Sequence, residues 1–310
     1  MRVLINQNTK QISQEQRIQG TYDWLDELFR ASMGQFADFS GAYYCDDFNL
    51  SLEEAQLKKH KFILESIHFE PGMRVLDVGS GWGPMLKFIR DNGGNPVGLT
   101  LSKGQAKHTM RHGFEVYLKD WRDVSSKDLG QFDAVISIGA FEHFCNVEQY
   151  LAGQQDEIYE AYFEFVRSLI PVGGRTYLQT TTWGNPHPEY NQISLDAPKG
   201  SPEYIVAHLR NFYEASGWLP DGVGHIMKTA NDFMLISESS GRLDYIQTSE
   251  EWKRRFNRAM LTKPWIIAKL APKFLNGHFR DKIRSGRYGA QRKAFEQSIF
   301  EHTRMVLEKV

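Results

Sequence analysis

A chain of 310 residues with 37 Lys/Arg and 38 Asp/Glu is long enough to bury a full α/β core and to carry an added cap. Its two cysteines, Cys45 and Cys145, stand in unrelated contexts, which excludes a disulfide framework and a cysteine-rich metal site; no run approaches the ~18 apolar residues of a membrane span. The near-neutral total hides an asymmetry, because residues 251–310 hold 15 Lys/Arg against 5 Asp/Glu. Such a basic region suits phosphates, an anionic membrane surface, or simply a solvated helical face. No nucleic-acid-binding motif is visible. The polar N-terminus lacks a signal-peptide core, so the expectation is a soluble, cytoplasmic protein.

In chain order, Tyr22, Trp24, Leu25, Leu28 and Phe29 recur at helical spacing and predict a short amphipathic helix. Ala37 to Asn49 is an aromatic loop. A second helix starts near Ser51, with Glu53 and Glu54 in its first turn as the helix dipole favours, and runs to about Ile67. After the Pro71-Gly72 turn comes the apolar run Val75-Leu76-Asp77-Val78, then Gly79-Ser80-Gly81-Trp82-Gly83, then a helical pattern from Pro84 to Ile89. Glycines suit such a turn because they adopt backbone angles closed to other residues and let the main chain approach a ligand. The same turn is also an ordinary way to join a strand to a helix.

The unit repeats. Val97 to Leu101 reads as a second strand, with a helix opened by Ser102-Lys103-Gly104-Gln105. Val116 to Leu118 is a third strand, ending at Lys119-Asp120-Trp121. Phe132 to Ile138 is a fourth, followed by Gly139-Ala140-Phe141-Glu142-His143-Phe144. Asn146 to Ser168 reads as one or two helices, Arg175 to Thr181 as a fifth strand, and Trp183 to Ser201 as a loop containing His187 and Tyr190. Tyr204 to Tyr213 and Thr248 to Leu261 are predicted helical, as are tracts beyond Pro264. Phe233 to Ile236 is a short strand, and His302 to Lys309 a last strand completing the sheet. Strands alternating with helices imply a parallel sheet covered on both faces, with ligands at the carboxyl ends of the strands. This gives an N-terminal helical cap (1–70), an α/β core (71–182), an inserted lid segment (183–230) and a C-terminal completion of the sheet with basic helices (231–310).

The residues after each strand narrow the ligand. A dinucleotide binder carries an acidic residue at the end of the second strand, but here that position reads Thr100-Leu101-Ser102. No Gly-Lys-Ser/Thr closes the glycine turn, which excludes a P-loop. S-adenosylmethionine fits better, since it has no phosphates to cradle. Glu142 beside His143 reads either as a structural pair or as a functional group. Its place after the fourth strand favours function.

On these stretches the chain resembles the cyclopropane-fatty-acid synthase and mycolic-acid methyltransferase family. The matching pieces are Tyr22-Asp23, the run Phe39-Ser40-Gly41-Ala42-Tyr43-Tyr44, the first strand with its glycine turn, Gly98 to Gln105, and Ser137 to Phe144. The resemblance implies a Rossmann-like class I methyltransferase sheet with helices on both faces. It implies cofactor contacts at Phe39, Ser40, Gly79, Gly81, Thr100, Leu101, Gln105 and Trp121. The neighbour of Trp121 is usually acidic in the family but here is Arg122, so the adenine contact falls to Asp120 or Asp123. It further implies methyl transfer to an alkene of a fatty-acyl or lipid-like chain through a carbocation, with bound bicarbonate as base. The bicarbonate ligands would be Glu142, His187, Tyr245, the backbone of Ile138 and, where the family commonly has a cysteine, Gly41. Without the resemblance, His187 is an ordinary loop histidine and Tyr245 a core tyrosine. Two other readings stay open. One is a small-molecule N- or C-methyltransferase, whose plant relatives tend to carry a glutamate where Gly139 stands; the other is a cofactor-binding protein without turnover.

Overall fold

The computed structural model describes residues 33–213 and 217–310; the helix expected over Tyr22 to Phe29 lies outside them. A seven-stranded sheet runs in the order β3-β2-β1-β4-β5-β7-β6. Its strands are β1 (Arg74–Val78), β2 (Asn95–Thr100), β3 (Glu115–Leu118), β4 (Ala134–Ile138), β5 (Arg175–Trp183), β6 (Phe233–Ser240) and β7 (Phe300–Lys309). The first five pair in parallel, and β7 inserts antiparallel between β5 and β6. The helices are α1 (Leu52–Ser66), α2 (Pro84–Asp91), α3 (Lys103–Arg111), α4 (Ser126–Leu129), α5 (Val147–Leu151), α6 (Gln155–Leu169), α7 (Pro202–Phe212), α8 (Gly222–Thr229), α9 (Arg242–Thr262), α10 (Pro264–Leu270), α11 (Gly277–Tyr288) and α12 (Ala290–Glu296).

Side chains alternate across a strand, and β1 shows what this does. Leu76 and Val78 enter one core with Phe141, Tyr159, Tyr162 and Leu178. Val75 enters the other, with Ile63, Ile89, Ile136 and Tyr177. Capping sets the helix starts: Ser51 and Glu54 form a reciprocal capping box on α1, and the Ser102 hydroxyl accepts from the Gln105 N–H on α3.

Several boundaries differ from the sequence reading. β5 runs on to Trp183 because β7 pairs with it along its full length, ending at Trp183 opposite Phe300. β6 continues through Ser237-Glu238-Ser239-Ser240, polar residues tolerated because it is an edge strand. α9 begins at Arg242, which brings Tyr245 into its first turn. α8 was not anticipated, since Gly222 and Gly224 weaken its pattern. The order reverses at β1, flanked by β2 and β4, and the carboxyl ends of those strands frame the crevice described next.

Candidate active site

Two adjoining cavities open at this edge. The first is lined by the glycine turn after β1, by Leu99 to Ser102 and Gln105 after β2, by Lys119 to Arg122 after β3 and by Ile138 to Ala140 after β4. Gly79, Gly81 and Gly83 have φ of +88°, +55° and +80°, the left-handed region that favours glycine. A Cβ on Gly79 would lie 2.5 Å from the Ala140 Cβ, whereas one on Gly81 would meet nothing nearer than 4.0 Å among the described residues. The turn is therefore packed on the β4 side and open at Gly81. Thr100 Oγ1 donates to Gln105 Oε1 at 2.9 Å and accepts from the Ser102 N–H at 3.2 Å, which fixes both side chains at the rim.

Trp121 is buried among Phe144, Tyr162 and Phe165, and its Nε1 has no hydrogen-bond partner among the described residues. Asp120 caps the turn that follows by accepting from the Arg122 N–H at 2.9 Å. The Arg122 guanidinium pairs with Asp120 and lies over the Trp121 ring, 4.7 Å from its centroid. Asp120 and Arg122 both line the cavity; Asp123 does not.

The floor carries charge that the sequence reading did not assign. Asp77 lines the cavity at the end of β1, is 3% exposed, and leaves Oδ1 without a hydrogen-bond partner among the described residues. Burial, reinforced by the nearby Asp38 carboxylate, pushes its pKa up to about 7. Asp38 pairs with Lys59 at 2.6 Å and with His60 at 2.9 Å. Burial alone would raise the Asp38 carboxyl, but these two partners hold it well below the usual carboxylate range. Ser40 donates to Asp38 at 2.7 Å and accepts from Lys59 at 2.5 Å. Phe39 stacks on Trp252, centroids 4.9 Å apart.

Phe39, Ser40, Gly139 and His143 line both cavities. The second adds Gly41, Glu142, Thr181, Tyr245 and His302 inside walls of Trp183, Val206, Leu209, Trp218 and Phe295. Glu142 accepts from the Thr180 hydroxyl at 2.9 Å and the Thr181 hydroxyl at 3.5 Å, both on β5. The Tyr245 ring stacks on Phe295 at 4.4 Å, and its hydroxyl accepts from Gln291 at 2.7 Å. Gly41 is strapped in place: its carbonyl accepts from Gln179 at 3.1 Å, and the next residue, Ala42, is bonded to Thr248 and Arg304.

The structure thus brings Glu142, Tyr245 and Gly41 to one cavity and Ile138 to the adjoining one. His187 is a correction: it is exposed, stacks on Trp183 at 5.3 Å, and lines neither cavity. Sequence reasoning missed His302, whose alternating strand context gives no local signal. It also missed Asp77, whose environment depends on α1, and the two threonines that hold Glu142.

The sheet order, with an antiparallel strand inserted beside β5 and the crevice at the switch point, defines a Rossmann-like class I methyltransferase fold. More narrowly, the chain belongs to the mycolic acid cyclopropane synthetase family, whose model matches residues 9–275. Cyclopropane mycolic acid synthase 1 of Mycobacterium tuberculosis is 34% identical over 178 residues, covering 54% of this chain and 57% of that protein. The matched stretch therefore spans little more than half of that relative. Cyclopropane mycolic acid synthase 3 of Mycobacterium tuberculosis is 30% identical over 250 residues, covering 76% and 79% of the two chains. Among solved structures, mycolic acid cyclopropane synthase CmaA1 complexed with SAH and CTAB superposes with a TM-score of 0.73 at 24% identity, covering 95% of this chain and 98% of that one.

Proposed function

We propose that this protein is an S-adenosylmethionine-dependent C-methyltransferase acting on an alkene in a fatty-acyl or lipid-like chain. The observation that carries this reading is the junction of the two cavities. A glycine-rich polar cleft meets, at Phe39, Ser40, Gly139 and His143, an apolar-walled chamber containing Glu142. The donor set fits the cofactor: Asp77 offers a buried carboxylate oxygen, unpartnered among the described residues, to an ammonium group, and at Gly81 those residues leave room for close approach. Phe39, Ser40 and Gly79 would hold the methionine part, and Thr100, Leu101, Gln105, Asp120 and Trp121 the adenosine. When bound, the cofactor supplies an electrophilic methyl group.

The chain's own contribution is alignment, exclusion of water and aromatic faces near a developing cation. Tyr245, Phe295 and Phe300 line the chamber on that side. Relatives named as cyclopropane mycolic acid synthases support the substrate class. Of the ligands that bicarbonate would need as base, Glu142, Tyr245 and Gly41 share the chamber and Ile138 lines the adjoining cleft, whereas His187 stays outside both and the His302 ring occupies the space where a side chain at position 41 would stand.

A lipid substrate implies a route to a membrane. Leu261, Trp265, Ile267, Phe274 and Leu275 are exposed on the end of α9, on α10 and beyond it, interspersed with Lys263, Lys273 and Arg280. Apolar tips within a basic region suit the surface of an anionic bilayer. Co-sedimentation with anionic but not zwitterionic vesicles, lost in Trp265→Ser/Leu275→Ser, is the expected result.

The reaction itself is tested with cofactor carrying a trideuterated methyl group and a crude lipid and metabolite extract. Ring closure expels one deuterium, so a lipid product two deuterons heavier supports the proposal. A polar product retaining three would replace it with small-molecule methylation. Tight cofactor binding without labelled product from any extract would favour a protein without turnover.

A further inference from the structure

The loop at the junction of the two cavities is gripped by one face of a helix. Asp38 lines the first cavity, and Phe39 and Ser40 line both. On α1, Gln56, Lys59 and His60 stand three and four positions apart, so their side chains share a face. All three are buried, Lys59 completely at 0% exposure. The Gln56 amide donates to the Met33 and Asp38 carbonyls at 3.0 and 3.2 Å. The Lys59 ammonium pairs with the Asp38 carboxylate at 2.6 Å and donates to the Ser40 hydroxyl at 2.5 Å. His60 meets the same carboxylate at 2.9 Å. Lys59 itself lines neither cavity.

Two observations point beyond plain packing. The Ser40 hydroxyl donates its only proton to Asp38 at 2.7 Å and accepts from Lys59, so its rotation is fixed. The chain enters this loop at Ala37 with φ +52°, a left-handed angle that persists only where the surroundings impose it. The clamp also carries a desolvation cost. Burial pulls the Lys59 ammonium below its usual range, and the Asp38 carboxylate acts against that. An apolar side chain at this place would have no charge to desolvate. What the ammonium adds is direction, because it holds the hydroxyl of a residue that lines both cavities while standing outside them.

We propose that Lys59 is a positioning residue for the amino-acid end of the cofactor, acting through Ser40. This rests on the cofactor reading above, in which Phe39, Ser40 and Gly79 would hold the methionine part. Lys59 sets the Ser40 rotamer, and with Gln56 and Asp38 it sets the place of the loop. The adenosine end falls to other elements, Thr100, Leu101 and Gln105 after β2 and Asp120 and Trp121 after β3, which lie outside the hydrogen bonds of the clamp. Loosening the clamp therefore weakens recognition of one end of the cofactor and spares the other.

The test is calorimetry with two ligands, S-adenosylhomocysteine and 5′-methylthioadenosine, the second keeping the adenosine but lacking the amino-acid end. The variants are Lys59→Met and, so that no unpaired carboxylate is left buried, the double variant Asp38→Asn/Lys59→Met. In both, affinity for S-adenosylhomocysteine should fall at least ~10-fold while that for 5′-methylthioadenosine stays within about twofold of wild type. Ser40→Ala should weaken S-adenosylhomocysteine ~10-fold in the wild-type background but less than about twofold in the double variant, where the hydroxyl is no longer held. Wild-type affinity for S-adenosylhomocysteine in the double variant would overturn the assignment. So would equal weakening of the two ligands, which would mark the clamp as scaffold only, or an equal cost of Ser40→Ala in both backgrounds. A wild-type protein that binds neither ligand would instead refute the cofactor reading itself, before any variant is compared.

Discussion

Replacing Asp77 by asparagine should stabilise the cofactor-free protein while destroying its affinity for the cofactor. The carboxyl is buried at the end of β1, and its pKa stands at about 7 against an ordinary 3.8. A shift of about 3 units at ~1.4 kcal/mol each is a penalty on the order of 4 kcal/mol. Below pH 3.8 both folded and unfolded chains hold the proton and the penalty is absent. Between 3.8 and about 7 the unfolded chain releases its proton while the folded one keeps it, so stability falls as pH rises. Above about 7 the loss is complete. Asparagine removes it, although its amide also needs a partner, so a gain of ~1–4 kcal/mol is expected at pH 8, shrinking towards pH 5. A bound ammonium group would return the missing charge partner only to the aspartate. Urea unfolding at pH 5 and pH 8, with and without cofactor, measures both effects. Identical pH profiles for the two proteins, or cofactor affinity unchanged in Asp77→Asn, would refute the reasoning.

Four further substitutions separate chemistry from scaffold. Glu142→Gln should lower turnover at least ~100-fold with cofactor affinity within about threefold by calorimetry; equal turnover would remove Glu142 from the mechanism. Asp244→Asn leaves the Arg304 guanidinium, 2% exposed and paired to Asp244 at 2.7 Å, as an uncompensated buried charge. A loss of ~3–5 kcal/mol in urea unfolding follows, and one below about 1 kcal/mol would contradict the burial argument. Gly79→Ala combines a positive φ with a 2.5 Å clash against Ala140, and should cost ~2–5 kcal/mol. Gly72→Ala, at φ +96° with no described atom within 4 Å, should cost only the backbone part, and equal losses would show that the clash is relieved.

The parts legible in the sequence are those whose signal is local. Each parallel strand is a short apolar run, each turn carries its glycines, and the residues that line the first cavity follow their strands directly. Gly81, Thr100, Gln105 and Trp121 line that cavity for this reason. The second cavity is built from segments far apart in the chain. Arg304 reaches the Ala42 carbonyl across 262 positions, and His302 arrives beside Gly41 only because β7 inserts between β5 and β6. His187 shows the converse. The family resemblance, not its neighbourhood, implied a ligand there, but the residue is exposed and lines neither cavity.

Gly41 shows how far a missing side chain can mislead. By sequence the family resemblance expects a cysteine there, and two readings stay open: a backbone N–H that glycine can still supply, or an anion site or substrate shape altered by the lost side chain. In the fold, the gap is filled from another strand, and the surrounding hydrogen bonds hold it in that state. Gln179 of β5 grips the Gly41 carbonyl at 3.1 Å, Thr248 of α9 accepts from the Ala42 N–H at 3.0 Å, and Asp244 accepts from the Tyr44 N–H at 2.9 Å. Asp244 is itself locked to Arg304, two residues beyond His302 on β7. The loop that supplies Phe39 and Ser40 to both cavities is thus tied to the strand that supplies the imidazole. Closing β7 onto β5 therefore fixes the loop and the imidazole together, and the second cavity is a product of C-terminal sheet completion rather than of the first five strands alone.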